Sequence, residues 1–316
     1  MTAARAVSLA QRPQKMISRT GKNLSGRVLL LIPSVVKTGV EKAVAQDRHP
    51  TMDYWALVAA LRARGCEAEL LDYKSVETTR LPKDTALALA GFQRKDKFDS
   101  IFTNGENVAL PLALLLKSSR ARPRHVTIGH RLSTPKKRAF FTLAKAHRQI
   151  DRIFVYATAQ YQYAHGILGI EAARLALISF HADADFFRPL PKVPERADLV
   201  SSAGLEWRDY PTLIGAANTL PELSFKLAAA SPWSKHRNET VNRDLPKNVD
   251  ARRYEYSDLR HLYAESGMVV VPLYEMDFQA GVTTILEAMA MGKPVITTRT
   301  QGQTDVIMED KTGVYV

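Results

Sequence analysis

The sequence of 316 residues has a single cysteine and no apolar run long enough to cross a membrane. Cys66 alone cannot form an internal disulfide, and it follows Gly65 at an expected helix-to-strand turn, so we interpret it as a packing residue. A spanning helix needs about 20 consecutive apolar residues. Together with the absence of the apolar core of a secretory signal, these features favour a reducing, cytoplasmic compartment.

Motifs that define several other enzyme classes are also missing. No G-x-G-x-x-G follows the first predicted strand, which argues against a dinucleotide-binding oxidoreductase. No P-loop, H-E-x-x-H or pair of C-x-x-C motifs occurs. Asp183 and Asp185 form a D-x-D like that of some metal-dependent sugar transferases, but their place beside Phe186 predicts a capping or turn role. We therefore predict neither a metal site nor a bound cofactor.

Acidic residues are scarce at the start of the chain, where none occurs before Glu41. This composition also resembles an organellar presequence, but we interpret residues 1–25 as a disordered basic tail. The net charge of +12 predicts an anionic partner, either a nucleotide ligand or an anionic membrane surface contacted peripherally. The basic residues are spread along the chain without a recognisable nucleic-acid-binding module, so we predict no nucleic-acid partner.

Strand-like and helix-like segments alternate along the chain. A continuous apolar run at residues 27–33 is typical of a buried parallel strand. The alternation is interrupted at residues 188–196, a proline-rich charged segment that predicts a linker, and then restarts. The pattern predicts an α/β fold of two doubly wound, Rossmann-like domains, residues 26–187 and 197–316. We also predict a helix over residues 302–308.

Such domains bind ligands where the carboxyl ends of their strands face a cleft, so residues just after strands are the candidates. His130 immediately follows an apolar strand. Arg208 follows a glycine-containing loop and could make charge-assisted hydrogen bonds to a diphosphate. Lys235 and Arg237 are further basic candidates.

The stretch QAGVTTILEAMAMGKPVITT at residues 279–298 predicts a loop, a short helix and a strand. Gly281 lies near the helix start, and Gly292 and Pro294 end it. The unpaired N–H groups and the dipole at such a start suit a phosphate. Glu287, one turn further in, could accept hydrogen bonds from sugar hydroxyls. Periodicity alone favours an ordinary amphipathic helix; the order of the surrounding motifs favours a ligand site.

The same stretch resembles the E-x7-E segment of glycosyltransferase family 4 (group 1), including the run Glu-Ala-Met-Ala-x-Gly-x-Pro-Val-Ile from Glu287 onward. Other segments resemble the family in the same order along the chain. They are the first glycine loop at Gly39, the strand ending in an active-site histidine at His130, the exit segment from residues 153–156 through 169–170 to 183–189, and the phosphate-binding loop at Arg208. The resemblance covers residues 27–316 and implies the GT-B fold, with the acceptor side in the first domain and the donor side in the second.

The resemblance implies a retaining, metal-independent transfer of a sugar from a nucleotide-diphosphate sugar to a hydroxyl of a glycan, lipid-linked or small acceptor. In that reaction Glu287 would hold the ribose, and His130 would reach across to a sugar hydroxyl. The donor diphosphate and nucleotide would be held by Arg208, Gly39, Ala280, Gly281, Val282 and Thr283. Together with Gln279, His130 and Glu287 form the catalytic set that the resemblance implies.

Two features depart from the family pattern. Gln279 stands where the family has the first acid of E-x7-E. A glutamine can hydrogen-bond a hexose hydroxyl, but it cannot stabilise developing positive charge. The chain also stops within residues 313–316, where the family continues, which predicts a truncated second domain. These departures leave two alternatives: a non-catalytic nucleotide-sugar-binding relative and a GT-B sugar-nucleotide epimerase.

Overall fold

The computed structural model describes residues 26–78, 80–120, 122–229 and 245–316. Within these residues the chain forms two parallel six-stranded sheets, each with helices packed on both faces. The prediction of two doubly wound α/β domains is thereby confirmed. The predicted tail over residues 1–25 lies outside the described residues, as do Lys235 and Arg237.

The first sheet has the strand order β2-β1-β3-β4-β5-β6, with all neighbouring strands parallel. Its strands are β1 (Gly26–Leu31), β2 (Cys66–Leu71), β3 (Ser100–Thr103), β4 (Arg124–Gly129), β5 (Arg152–Val155) and β6 (Leu175–Leu177). The helices of this domain are α1 (Val40–Ala45), α2 (Asp53–Arg62), α3 (Lys83–Gln93), α4 (Glu106–Leu116), α5 (Pro135–Thr142) and α6 (Thr158–Gly166). A 3₁₀ turn, Ala146–Gln149, follows α5.

Strand β1 shows why its sequence is continuously apolar. Leu29 and Leu31 point to the sheet face covered by α3 and α4, and Leu30 and Ile32 point to the face covered by α2. All four side chains are almost completely buried. A strand covered on both faces has no solvent side on which polar residues would alternate.

The second sheet has the order β12-β11-β10-β7-β8-β9 and is also parallel throughout. Its strands are β7 (Arg196–Ala203), β8 (Ser224–Ala228), β9 (Val249–Ala251), β10 (Ser266–Val271), β11 (Val295–Thr297) and β12 (Val314–Tyr315). Its helices are α7 (Tyr210–Thr219), α8 (Tyr256–Glu265) and α9 (Val282–Ala290). Helix α7 packs on one face, and α8 and α9 pack on the other.

The segment between the domains is anchored at both ends. The carboxylate of Asp183 accepts hydrogen bonds from the N–H groups of Thr51, Asp185 and Phe186 at 2.7, 3.0 and 3.2 Å, which confirms its predicted capping role. Phe186 and Phe187 are buried in the core of the second domain. The predicted domain limits of 187 and 197 stay predictions.

The helix predicted over residues 302–308 is wrong. The segment forms turns instead, because its polar groups bond to the loop between β10 and α9. The N–H of Gly302 donates to the carbonyl of Met276 at 2.8 Å, and Nε2 of Gln303 donates to the carbonyl of Ala280 at 2.9 Å. A Cβ on Gly302 would overlap the backbone of Phe278. The two segments therefore support each other.

Candidate functional site

Both sheets direct their loops into one cleft, and the cleft is bridged by an ion pair. Nε of Arg131, from the loop after β4, lies 3.3 Å from Oδ1 of Asp277 in the loop after β10. The guanidinium carbon of Arg131 also lies 5.5 Å from the ring centre of Trp207 and 5.1 Å from that of Phe278. These contacts hold the loop that carries His130 against the loops that carry Arg208 and Gln279.

The first turn of α9 presents backbone donors that have no protein partner. Gly281 caps the helix with a φ of 77°, and its carbonyl accepts the N–H of Ile285 at 3.1 Å. Among the described residues, no group accepts a hydrogen bond from the backbone N–H groups of residues 281–284. The N–H of Ala280 is already used, because it donates to Phe278 at 2.7 Å. The donors available to an anion thus begin at Gly281.

Arg208 lies directly behind this turn rather than out in the cleft. Its Nε donates to the carbonyl of Ala203 at 2.8 Å, Nη1 to that of Glu206 at 2.9 Å, and Nη2 to Oγ1 of Thr284 at 3.1 Å. Burial lowers the pKa of the guanidinium, against the opposing effect of nearby acidic and phenolic groups. Three of the five N–H donors of its guanidinium are thus used within the protein. The cation and the open helix start therefore form one anion-attracting region.

Two glycines in left-handed conformations make room for the guanidinium. Gly204 has a φ of 92°, and a Cβ there would overlap Nη2 of Arg208. A Cβ on Gly281 would lie 2.7 Å from Cγ1 of Val271 and 3.3 Å from Nη1 of Arg208. Side chains at either position would both strain the backbone and displace the cation.

We expect Gly204→Ala to lower the free energy of unfolding by about 1–3 kcal/mol, because the methyl group meets the buried guanidinium at a positive φ. The matched control is Gly215→Ala at an exposed position of helix α7, where a Cβ would meet nothing within 4 Å. That change should raise the free energy of unfolding by about 0.5–1 kcal/mol. Urea unfolding followed by tryptophan fluorescence measures both, and effects of the same sign would contradict the packing described here.

Glu287 is buried on the inner face of α9. The hydroxyl of Tyr263, itself fully buried, donates to Oε2 of Glu287 at 3.1 Å. Burial raises the pKa of the Glu287 carboxyl to about 8, although Tyr263 and Arg208 act in the opposite direction. We therefore expect the side chain to be protonated at neutral pH, a prediction tested in the Discussion. Its predicted contact with a ribose stays a prediction.

Two side-chain amides lie at the loop between β10 and α9, those of Gln279 and Gln303. Gln279 is 9% exposed, and its Oε1 has no hydrogen-bond partner among the described residues. The Oε1 of fully buried Gln303 is likewise unpaired there, while its Nε2 supports Ala280. Unpaired buried amide oxygens are costly, and a ligand hydroxyl that donates to Gln279 would remove part of that cost.

The ring of His130 is exposed, but its backbone is firmly held. Its N–H donates to Oε2 of Glu106 at 2.8 Å, and its carbonyl accepts Nε2 of Gln160 at 2.5 Å. Glu106 also accepts the N–H of Arg131 at 3.2 Å and a hydrogen bond from Nζ of Lys137. Burial opposes ionisation of Glu106, yet the electrostatic effects of Lys137 and His130 and the hydrogen bond from Lys137 hold its pKa below the ordinary value.

Residues 104–107, which include Glu106, are candidates from the sequence because they directly follow a strand. The role of Glu106 in holding the His130 loop was not predicted, because nothing local identified its partners 24 to 31 residues away. The ion pair of Arg131 with the second domain was not predicted either. Gly39 behaves as expected of a turn glycine: it caps α1 with a φ of 83° and is exposed. Its loop is fixed where Oδ2 of Asp72 accepts the N–H of Val36 at 2.8 Å.

A cavity of about 220 Å³ lies between the domains, close to the loop that carries His130. The first domain lines it with Leu132, Ser133, Gln160 and Tyr163, and the second with Asp277 and Gln301. Its walls therefore combine apolar atoms with hydroxyl, amide and carboxylate groups.

In the described part of the chain, no group of three or more His, Cys, Asp or Glu side chains could hold a metal ion. No described helix has the length and apolarity to span a bilayer.

Comparisons with known proteins agree with this geometry. Residues 208–316 match the family model described as "Glycosyl transferases group 1". No curated protein matches the sequence.

Three solved structures illustrate the similarity of the fold. Anabaena Alr3699/HepE in complex with UDP-glucose superposes with a TM-score of 0.63 at 16% identity, covering 92% of this chain and 85% of that one. A glycosyltransferase from Rickettsia africae ESF-5 gives a TM-score of 0.60 at 17% identity, with 92% and 83% covered. The lipopolysaccharide outer core galactosyltransferase WaaB, in its apo form, gives a TM-score of 0.60 at 13% identity, with 92% and 85% covered. At such identities these likenesses concern the fold alone.

The family match falls on the part of the chain that contains Arg208, Gln279, the open turn of α9 and Glu287. The fold likeness extends over both domains. Residues 208–316 are therefore similar to the group 1 glycosyltransferases, in a chain that has the GT-B fold.

Proposed function

We propose that this protein is a retaining glycosyltransferase that moves a sugar from a nucleotide-diphosphate sugar to a hydroxyl of a glycan, lipid-linked or small acceptor, without a metal ion. The observation that carries the proposal is the first turn of α9, whose free N–H groups lie in front of the buried cation of Arg208. A diphosphate leaving group needs this combination of oriented dipoles and positive charge.

The donor diphosphate would bind at residues 281–284, with the charge of Arg208 behind it. Because these donors are fixed in the fold, they can stabilise the charge that grows on the diphosphate as the sugar departs, without reorganising. Gln279 would accept a hydrogen bond from a hydroxyl of the transferred sugar, a role supported by its unpaired amide oxygen. Glu287 would hold the ribose, as the family resemblance implies.

The acceptor would approach from the first domain. His130 is exposed on the loop held by Glu106, and its ring would contact a hydroxyl of the transferred sugar. The neighbouring cavity, lined by Ser133, Gln160 and Asp277, offers polar groups to a neutral hydroxylated acceptor. We assign no protein group as general base, because the leaving phosphate can take the acceptor proton.

The Anabaena structure was solved with UDP-glucose, so UDP-hexoses are the first donors to test. We expect a UDP-, GDP- or ADP-sugar to raise the melting temperature of the full chain and to be consumed when an acceptor is supplied. His130→Ala should retain donor binding and lose at least about 100-fold in kcat, since the ring would act during transfer rather than in packing. His261→Ala, at another exposed histidine, is the matched control.

The results separate the proposal from its alternatives. Binding without turnover, even after Gln279→Glu restores the acid, would favour a non-catalytic nucleotide-sugar-binding protein. Conversion of the donor to an isomer in the absence of any acceptor would identify an epimerase. If no nucleotide sugar is bound by wild type, the proposal is refuted.

A further inference from the structure

Basic residues are segregated in the middle of the first domain. The 44 residues from 107 to 150 contain ten Lys and Arg and no Asp or Glu. Three of these cations are neutralised by acids outside the segment: Arg122 by Asp151, Arg131 by Asp277 and Lys137 by Glu106. The other seven are exposed and have no carboxylate partner among the described residues.

Four of these unpaired cations lie within seven residues of an exposed leucine, on α5 and the 3₁₀ turn that follows it. Lys136 and Arg138 lie on α5, and Lys145 and Arg148 lie at the turn, all exposed. Leu143 between them is 82% exposed, more than any other large apolar side chain in the described residues. We call these five residues the basic face.

The exposure of Leu143 is not a by-product of a loose helix. On the opposite side of the same segment, Phe141 and Ala146 are each 1% exposed and pack into the core with α4 and α6. The segment is therefore anchored on its inner side, and Leu143 lies on its solvent-exposed side.

We propose that the basic face binds an anionic lipid surface, with Leu143 inserted among the headgroups. A membrane interface rewards both components, because negative lipids attract Lys and Arg while the acyl boundary takes up apolar side chains. A nucleic acid backbone would use the cations but would gain nothing from a central leucine. Helix α5 begins at Pro135, five residues after His130, so docking through this face would keep the edge of the cleft near the membrane surface.

Flotation of the full chain with phosphatidylcholine vesicles, with and without phosphatidylglycerol, tests the proposal. We expect binding only to the anionic vesicles and release at high salt. Replacing Lys136, Arg138, Lys145 and Arg148 with Gln should lower the partition coefficient by two orders of magnitude or more, since each cation near the surface contributes about fivefold. Leu143→Gln should lower it by about tenfold.

Matched variants control for net charge and for exposed apolar area. Replacing Arg64, Lys74, Lys247 and Lys311 with Gln removes the same charge from exposed positions elsewhere and should weaken binding less than about fivefold. Met308→Gln removes another exposed apolar side chain, 52% accessible, and should change nothing. Circular dichroism and the melting temperature verify that every variant is folded.

Equal losses in the two fourfold variants would overturn the proposal in favour of general charge attraction. Binding of duplex DNA through the four cations, with no vesicle binding and no effect of Leu143→Gln, would overturn it in favour of a nucleic-acid surface. Because the assay contains no sugar nucleotide, its outcome does not depend on the function proposed above.

Discussion

Replacing Thr283 with Glu should weaken the binding of a nucleotide sugar by at least about 100-fold while leaving the fold as stable as wild type or slightly more so. Thr283 is exposed in the first turn of α9, between the free N–H groups of its neighbours. A carboxylate there would occupy the donors meant for the diphosphate and would repel its charge. At about 4 Å and the effective dielectric of a protein surface, two like charges repel by about 4 kcal/mol, which screening reduces.

The same carboxylate should favour the helix itself. Negative charge near a helix N-terminus stabilises it by about 0.3–1 kcal/mol. No acidic residue now lies in the first turn of α9, so the added charge meets no like charge within that turn. The prediction thus has opposite signs for stability and for ligand affinity, a pattern that general damage to the fold cannot produce.

Isothermal titration with the nucleotide sugar that raises the melting temperature of the wild type measures the affinity, and urea unfolding measures the stability. Thr283→Gln is the matched control, because it adds a side chain of nearly the same size without charge. If Thr283→Glu and Thr283→Gln bind the donor equally well, the diphosphate does not bind at this turn, and the central observation behind the proposed function loses its meaning.

The features that the sequence predicted are those set by nearby residues. The limits of α9 follow from Gly281 and Gly292, which have φ values of 77° and 73° and permit the turns at either end. Strand β1 followed from its unbroken apolar run. The ordered motifs placed His130, Arg208 and the α9 loop after strands. In a parallel sheet that position brings Arg208 and the α9 loop to the carboxyl edge of the second sheet, and it brings His130 to the carboxyl edge of the first.

The features that the sequence did not predict depend on distant partners. Helix α3 was missed, and so was the short strand β9, whose three residues pair only with β8. The helix expected over residues 302–308 was lost to bonds with Met276 and Ala280, more than 20 residues away. Burial was equally hidden: nothing in the local pattern of α9 showed that Glu287 would face Tyr263.

The second prediction with a large effect concerns Glu287 and the pH dependence of the free energy of unfolding. Its carboxyl has a folded pKa of about 8 against an ordinary value of 4.5. Between these values the folded state binds a proton that the unfolded state has released. The free energy of unfolding therefore falls as the pH rises through this window, by up to about 1.4 kcal/mol per unit and several kcal/mol in all.

Glu287→Gln should remove this component, because the amide imitates the protonated carboxyl and can still accept the hydrogen bond from Tyr263. We expect the free energy of unfolding of the variant to match that of wild type at about pH 5. At about pH 8 it should exceed the wild-type value by about 2–4 kcal/mol. Urea unfolding across this range measures the difference. Exposed Glu222→Gln, the matched control, should follow wild type throughout.

Comparing variant with wild type also separates Glu287 from the buried histidine. Burial lowers the pKa of His125 to about 4 from 6.5, so that residue makes stability rise with pH between those values, opposite in sign to Glu287. His125 is unchanged in both proteins, and its effect cancels. A constant difference between variant and wild type at all pH values would show that Glu287 is already ionised in the folded state. A confirmed prediction would mean that any ribose held at this position meets a neutral carboxyl, able to donate one hydrogen bond and accept another.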